Sequence, residues 1–292
     1  MADVASSCCD LIFSGQNVEH LWPDEVTGFL FEAARVLRPG GHLVIDSPNR
    51  LITAPSNWSN PEHTIELTIA EIRQLLALAG FEVSKTAGIW LCQDPRSGRL
   101  LPFDPNVAEL DWSITERLIA ARDRPEQSFI WWIEARRGGQ DPDRDGVERL
   151  MAETFRAHWP ERIRRLHVPD AHRITTRPDG EWVVVPPGQA GWVFFGPYMP
   201  LRAGSYSAEF TLEPVGEASE TTGAPFAVCE VVWGDHSELL ARQEVGPSVR
   251  SVRLDFELPM LRFGIQFRCF ALGRAGFAVR KAVALDESLA MN

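Results

Sequence analysis

Two histidines and a glutamate are the side chains best placed to move protons. His20 and His63 carry imidazoles that exchange a proton near neutral pH, and Glu66, three residues after His63, could orient one of them. Plainer roles are open to them as well: His20 suits packing or capping beside a helix opening at Pro23, and Glu62, His63 and Glu66 suit a loop brace. A second set is aromatic. Trp182, Trp192, Tyr198 and Trp233 offer flat faces that stack on sugar rings, and Gln266, Arg268 or Arg280 could supply hydrogen bonds. The same aromatics would equally serve a core.

Other chemistries are disfavoured. The five cysteines (Cys8, Cys9, Cys92, Cys229 and Cys269) are odd in number and form no C-x-x-C pair, and none has a histidine at metal-ligand spacing. They read as reduced thiols in a cytoplasmic protein, and no metal is expected. A formal charge of -11 argues against nucleic acid, which is held by clustered Lys and Arg. No apolar run reaches the roughly 18 residues of a membrane helix, and the first residues lack a basic stretch followed by an apolar core, so a secretory leader is not expected.

Elements must position these residues. Asp10 to Ser14 and His42 to Asp46 read as buried strands of a parallel sheet, joined by a helix with Val26, Phe29, Leu30, Ala33, Val36 and Leu37 at helical spacing. Thr68 and Glu71 form a capping box for a second helix, which Gly80 stops. Phe81 to Lys85 and Gly88 to Cys92 read as extended, Ile114 to Arg122 as helix, and Ser128 to Ala135 as a strong strand. Such alternation indicates an α/β layer. Gly138 to Gly146 marks a linker, and Glu148 to Trp159 a bridging helix.

After about residue 165 the pattern becomes β-rich. Eight runs (181–185, 191–195, 205–212, 226–233, 239–245, 249–258, 263–270 and 277–285) separated by Gly and Pro turns suggest a sandwich or jelly roll. Alternation points Tyr206, Ala208, Phe210 and Leu212, and likewise Val252, Leu254, Phe256 and Leu258, into its core. Phe263, Ile265 and Phe267 should also face inward, with Gln266 and Arg268 facing away. The expected organisation is therefore an α/β domain over 1–137, a linker and helix over 138–164, and a β-sandwich over 165–292.

The run CDLIFSGQNVEHLWPDEVTGFLFEAARVLRPGGHLVIDSPN, Cys9 to Asn49, resembles the fourth strand, helix and fifth strand of class I S-adenosylmethionine-dependent methyltransferases. Its Asp-Leu strand, Glu-His pair, Arg-Val-Leu-Arg-Pro-Gly-Gly close and Pro-Asn end carry the likeness. NPEHTIELTIAEIRQLLALAGFEV, Asn60 to Val83, extends it into the sixth strand, and Ser128 to Arg137 fits the seventh. The implied fold is a partial Rossmann-like sheet, with S-adenosyl-L-methionine as cofactor. Ser14, Gly15 and Gln16 would then line the donor's methionine and sulfonium region. His20, or His63 with Glu66, would take the acceptor proton, and Asn49 and Arg50 would hold the acceptor.

Nothing upstream of Asp10 supplies the Gly-rich turn and acidic strand end that hold the donor in this family. The sheet is therefore expected to lack its first three strands, and the chain alone to bind the donor weakly. A homodimer or another partner could cover the open edge. WVFFGPYMPLRAGSYSAEFTL, Trp192 to Leu212, resembles the opening strands of carbohydrate-binding jelly rolls. Together these imply a methyltransferase-family protein acting on a glycan or glycan precursor, or a non-catalytic glycan- or protein-binding scaffold with a remnant methyltransferase domain.

Overall fold

The computed structural model describes residues 3–56, 58, 60–103, 112–215, 223–234 and 236–288. Two compact units are present, one of Met1–Ser59 with His63–His158, the other of Asn60–Glu62 with Trp159–Asn292. The first holds β1 (Cys9–Gly15), α1 (Pro23–Val36), β2 (Leu37–Pro48), α2 (Arg50–Thr53), α3 (Ile69–Leu78), β3 (Phe81–Leu91), α4 (Ile114–Arg122) and β4 (Ser128–Arg137); α5 (Arg144–Ile163) begins in it. Strand order is β1-β2-β4-β3. β1 and β2 run parallel, with Ile12 beside Leu43 and Ser14 beside Ile45, while β4 is antiparallel to both its neighbours.

Local chemistry explains the helices. Pro23 sets the first turn of α1, and the Glu25 carboxylate accepts from the Trp22 N–H at 2.8 Å. In α3 the Thr68 N–H donates to Glu71 at 2.8 Å, the Glu71 N–H returns to Thr68 Oγ1 at 3.3 Å, and Gly80 ends the element at φ +83°. Val26, Leu30 and Ala33 of α1 and Ile72, Leu75 and Leu76 of α3 pack with Val147 and Met151 of α5. They bury one face of the sheet through Leu43, Ile45, Trp131 and Ile133.

The opposite face differs from the sequence reading of β1 as a buried strand. Leu11 is 58% and Phe13 62% exposed. β1 is the sheet's edge, so its apolar run has a pairing strand on one side and helices on one face among the described residues. The two extended runs of 81–92 are one strand, because Thr86 and Ala87 between them pair with Ile133 and Trp132. The bridging helix is also longer than its periodicity indicates, starting at Arg144 within the Gly- and Asp-rich stretch.

The second unit comprises β5 (Arg173–Arg177), β6 (Gly180–Val185), β7 (Ala190–Phe194), β8 (Pro197–Leu201), β9 (Gly204–Val215), β10 (Ala227–Trp233), β11 (Glu238–Val245), β12 (Ser251–Leu258), β13 (Arg262–Leu272) and β14 (Gly276–Ser288). One sheet runs β11-β10-β13-β7 with β8 also on β13, and the other runs β12-β9-β14-β6-β5. The chain is thus an α/β layer followed by a β-sandwich. The predicted alternations of β9 and β12 hold, with Val252 opposite Phe210, Leu254 opposite Ala208 and Phe256 opposite Tyr206.

Two strands escape the eight-run pattern. β5 is a half-exposed edge with little apolar content, and β8 is framed by Pro197 and Pro200. Phe263 also departs from its predicted inward set: it is exposed, and the register of β13 slips between Arg262 and Ile265, where Gly264 adopts φ +71°. Ile265, Phe267 and Cys269 then keep the inward phase.

Candidate functional site

Ser14, Gly15 and Gln16 lie where β1 leaves the sheet beside Ile45 and Asp46. Gln16, at φ +48°, donates its side-chain amide to Asp46 Oδ1 at 2.6 Å, and Asn17 donates to Ser14 Oγ at 3.2 Å. A Cβ on Gly15 would meet Asp46 Oδ2 and the Phe13 ring at 3.0 Å. The glycine allows the Asp46 carboxylate and the Phe13 ring to close in on this strand end.

The next turn carries Glu19 and His20 on a short 3-10 helix, Val18–His20. Segment 63–66 is laced onto it: the Glu19 carbonyl accepts the Thr64 N–H at 2.6 Å, and the His20 carbonyl accepts the Thr64 hydroxyl at 3.1 Å. His63 is brought edge-on to His20, with ring centroids 4.8 Å apart. On its other side it lies 5.4 Å from the Trp58 ring.

His63 and Glu66 are both buried, with His63 Nδ1 2.9 Å from Glu66 Oε1. The Thr53 hydroxyl donates to the second oxygen of Glu66. A carboxylate only accepts, so the proton of this pair sits on Nδ1 and the lone pair on Nε2. That is the tautomer of a general base, or of a metal ligand.

Asn49 and Arg50 are committed to the protein's own groups. The fully buried Asn49 amide donates to the carbonyls of Pro125, Glu126 and Ser128 at 3.1–3.3 Å and accepts from the Leu51 N–H at 3.1 Å, which caps α2. Arg50 donates to the Glu66 carbonyl at 2.8 Å and pairs with Glu71. Arg50 thus braces segment 66–71, and Asn49 ties the start of α2 to segment 125–128.

Sequence reasoning passed over Glu19. It is fully buried, and neither carboxylate oxygen makes a hydrogen bond of normal geometry; its own backbone amide and the buried Ser47 hydroxyl lie close enough only to favour its charge weakly. Burial pushes Glu19 above the ordinary carboxylate range, opposed more weakly by its own backbone amide, Ser47 and the two imidazoles. Its place in the Glu-His pair was the available signal, since an acid beside a candidate base belongs to the same chemistry.

In the second unit the four residues read as substrate-binding meet. Trp192, Tyr198, Trp233 and Arg268 line one cavity, together with Gln266 and Phe263. Trp192 is 39% and Tyr198 41% exposed. The Arg268 guanidinium lies 4.7 Å from the Trp192 centroid and is anchored by Glu230 at 2.7 Å and Ser237 at 3.0 Å. Arg262 lies 4.2 Å over Trp233. Trp182 and Arg280 are on the other sheet, where the buried Trp182 indole donates to Asp179 at 3.0 Å. Trp182 is therefore a packing residue.

Separate parts of the chain are similar to different known proteins. Residues 1–45 match the family model described as a methyltransferase domain. A probable S-adenosylmethionine-dependent methyltransferase of Mycolicibacterium smegmatis is 43% identical over 83 residues, 28% of this chain and 32% of that protein. One from Mycobacterium tuberculosis is 42% identical over 74 residues, 25% of this chain and 26% of that protein. The chain thus spans a third or less of the length of these relatives.

Among solved structures, a SAM-dependent methyltransferase from Archaeoglobus fulgidus is 21% identical, covering 46% of this chain and 62% of that chain with a TM-score of 0.33. The CBM22-1 and GH10 modules of the Clostridium thermocellum xylanase 10B, complexed with xylohexaose, are 13% identical, covering 43% of this chain and 26% of that chain with a TM-score of 0.30. No helix among the described residues is long and apolar enough to cross a membrane.

Proposed function

We propose that residues 1–137 form the acceptor side of an S-adenosylmethionine-dependent methyl-transfer site, acting on a glycan or glycan precursor held by the sandwich of residues 165–292. The observation that carries this reading is the buried His63–Glu66 pair, laced onto the Val18–His20 turn that follows β1. A bound donor would supply an electrophilic methyl group, its S–CH3 bond breaking to leave the neutral thioether as the O–CH3 bond forms. His63 Nε2 takes the proton of the acceptor hydroxyl as the oxygen is methylated, and Glu66 holds the resulting imidazolium through Nδ1–H. Ser14, Gly15 and Gln16 border the donor, and His20 walls the acceptor side.

Further donor-binding strands, on this polypeptide or another, would pair along the edge of β1, and the elements packed on them would cover the face where Leu11 and Phe13 are exposed. Trp192 and Tyr198 stack on sugar faces while Arg268 bonds to ring hydroxyls. A second reading, a glycan-binding scaffold without catalysis, is favoured by the commitment of Asn49 and Arg50 to internal bonds.

Labelled-methyl transfer separates the two. The 292-residue chain, mixed with the donor-binding half of the Mycolicibacterium smegmatis relative and a glycan that it binds on an array, should incorporate label. His63→Asn should abolish incorporation with glycan binding intact. Glycan binding without incorporation would support the scaffold, and neither binding nor incorporation would contradict both readings.

A further inference from the structure

We propose that Glu19, His20 and His63 form a binding site for one divalent transition-metal ion of the zinc class. Each offers a ligand atom, and these atoms lie within 4.8 Å of one another. Two imidazole nitrogens and one carboxylate oxygen are a donor set suited to zinc and neighbouring first-row ions, and three protein ligands leave a position open for water or a substrate oxygen.

The independent observation is Glu19 itself. A fully buried carboxylate with neither oxygen in a hydrogen bond of normal geometry is a costly feature that a bound cation would compensate. The site also has its outer support. Glu66 accepts from His63 Nδ1, which leaves Nε2 for a metal, and the Thr53 hydroxyl donates to Glu66 in turn. Thr64 ties both segments that carry the ligands by bonding to the Glu19 and His20 carbonyls. The Ser47 hydroxyl, beside Glu19 and without a hydrogen bond of normal geometry, can accept from a metal-bound water.

The inference goes beyond the methyl-transfer reading and stands without it. In a loaded site His63 is a ligand, and an acceptor hydroxyl in the open position would be acidified by the ion in place of the imidazole base.

Equilibrium dialysis against zinc tests the site with no methyl donor present. The 292-residue chain should carry Cys8→Ser and Cys9→Ser to remove the adjacent thiols. One zinc per chain is expected, and cobalt in its place should show visible absorption of low-coordinate geometry. Glu19→Gln and His20→Ala should each abolish stoichiometric binding, and Glu66→Gln should weaken it by about tenfold, with circular dichroism confirming that each chain is folded. If Glu19→Gln fails to fold, His20→Ala, at a half-buried position, decides. Absence of stoichiometric zinc, or zinc retained in folded Glu19 and His20 variants, would overturn the proposal.

Discussion

The two units place polar chemistry in opposite ways. In the α/β unit His63, Glu66, Thr53, Asn49 and Glu19 are all buried, and most of their bonds go to one another or to backbone. In the sandwich the polar and aromatic groups of interest line a cavity on β7, β8, β10 and β13, while Ile265, Phe267 and Cys269 fill the core behind them. Substitutions at the first site should therefore disturb fold and chemistry together. At the second, recognition should be separable from stability.

The largest expected effect tests the sandwich side of that contrast. Phe267→Ala removes a fully buried ring and should cost about 3–5 kcal/mol in denaturant unfolding. Trp192→Ala, on the next sheet strand but outward, should change stability by less than about 1 kcal/mol while weakening glycan binding. Equal costs would remove the distinction between core and cavity.

Next in size is the α/β site. Thr53→Val strips Glu66 of a buried hydroxyl donor and should cost about 1–3 kcal/mol. A neutral result would mean that the network is dispensable. The smallest effect concerns thiols. Burial pushes Cys92 up to about 11, so alkylation of the native chain at pH 8 should modify exposed Cys8 and spare Cys92. The sign follows from the raised value: the folded state favours the thiol, a contribution present below about pH 9 and lost as pH rises through about 11. Peptide mapping checks the site, and rapid native labelling of Cys92 would contradict its burial.

Much of the fold could be read locally because its determinants are local. The Thr68–Glu71 box and Gly80 bound α3 within a dozen residues, and the alternation over Tyr206–Leu212 and Val252–Leu258 set two core strands. The misreadings are positional. An apolar run such as Leu11 to Phe13 looks the same in the middle of a sheet and at its edge, and only the pairing partners tell them apart.

The candidate sites divide in the same manner. His63 and Glu66 are three residues apart, so the pair could be suspected. Glu19 gains its meaning from a loop more than forty residues away that buries it, which no spacing rule reveals. The cavity on the sandwich collects Trp192, Tyr198, Trp233 and Arg268 from β7, β8, β10 and β13. Residue type proposed them, and sheet order brought them together. Asn49 and Arg50 show the reverse: residue type suggested a ligand, while the structure gives them internal partners.

Steady-state methyl transfer to the glycan, in the reconstituted mixture described above, tests the division of labour most directly. Chemistry in the α/β unit and recognition in the sandwich predict that His63→Asn lowers kcat with KM for the glycan nearly unchanged, whereas Trp192→Ala raises KM with kcat nearly unchanged. Loss of kcat in Trp192→Ala, or an unaltered kcat in His63→Asn, would contradict that account.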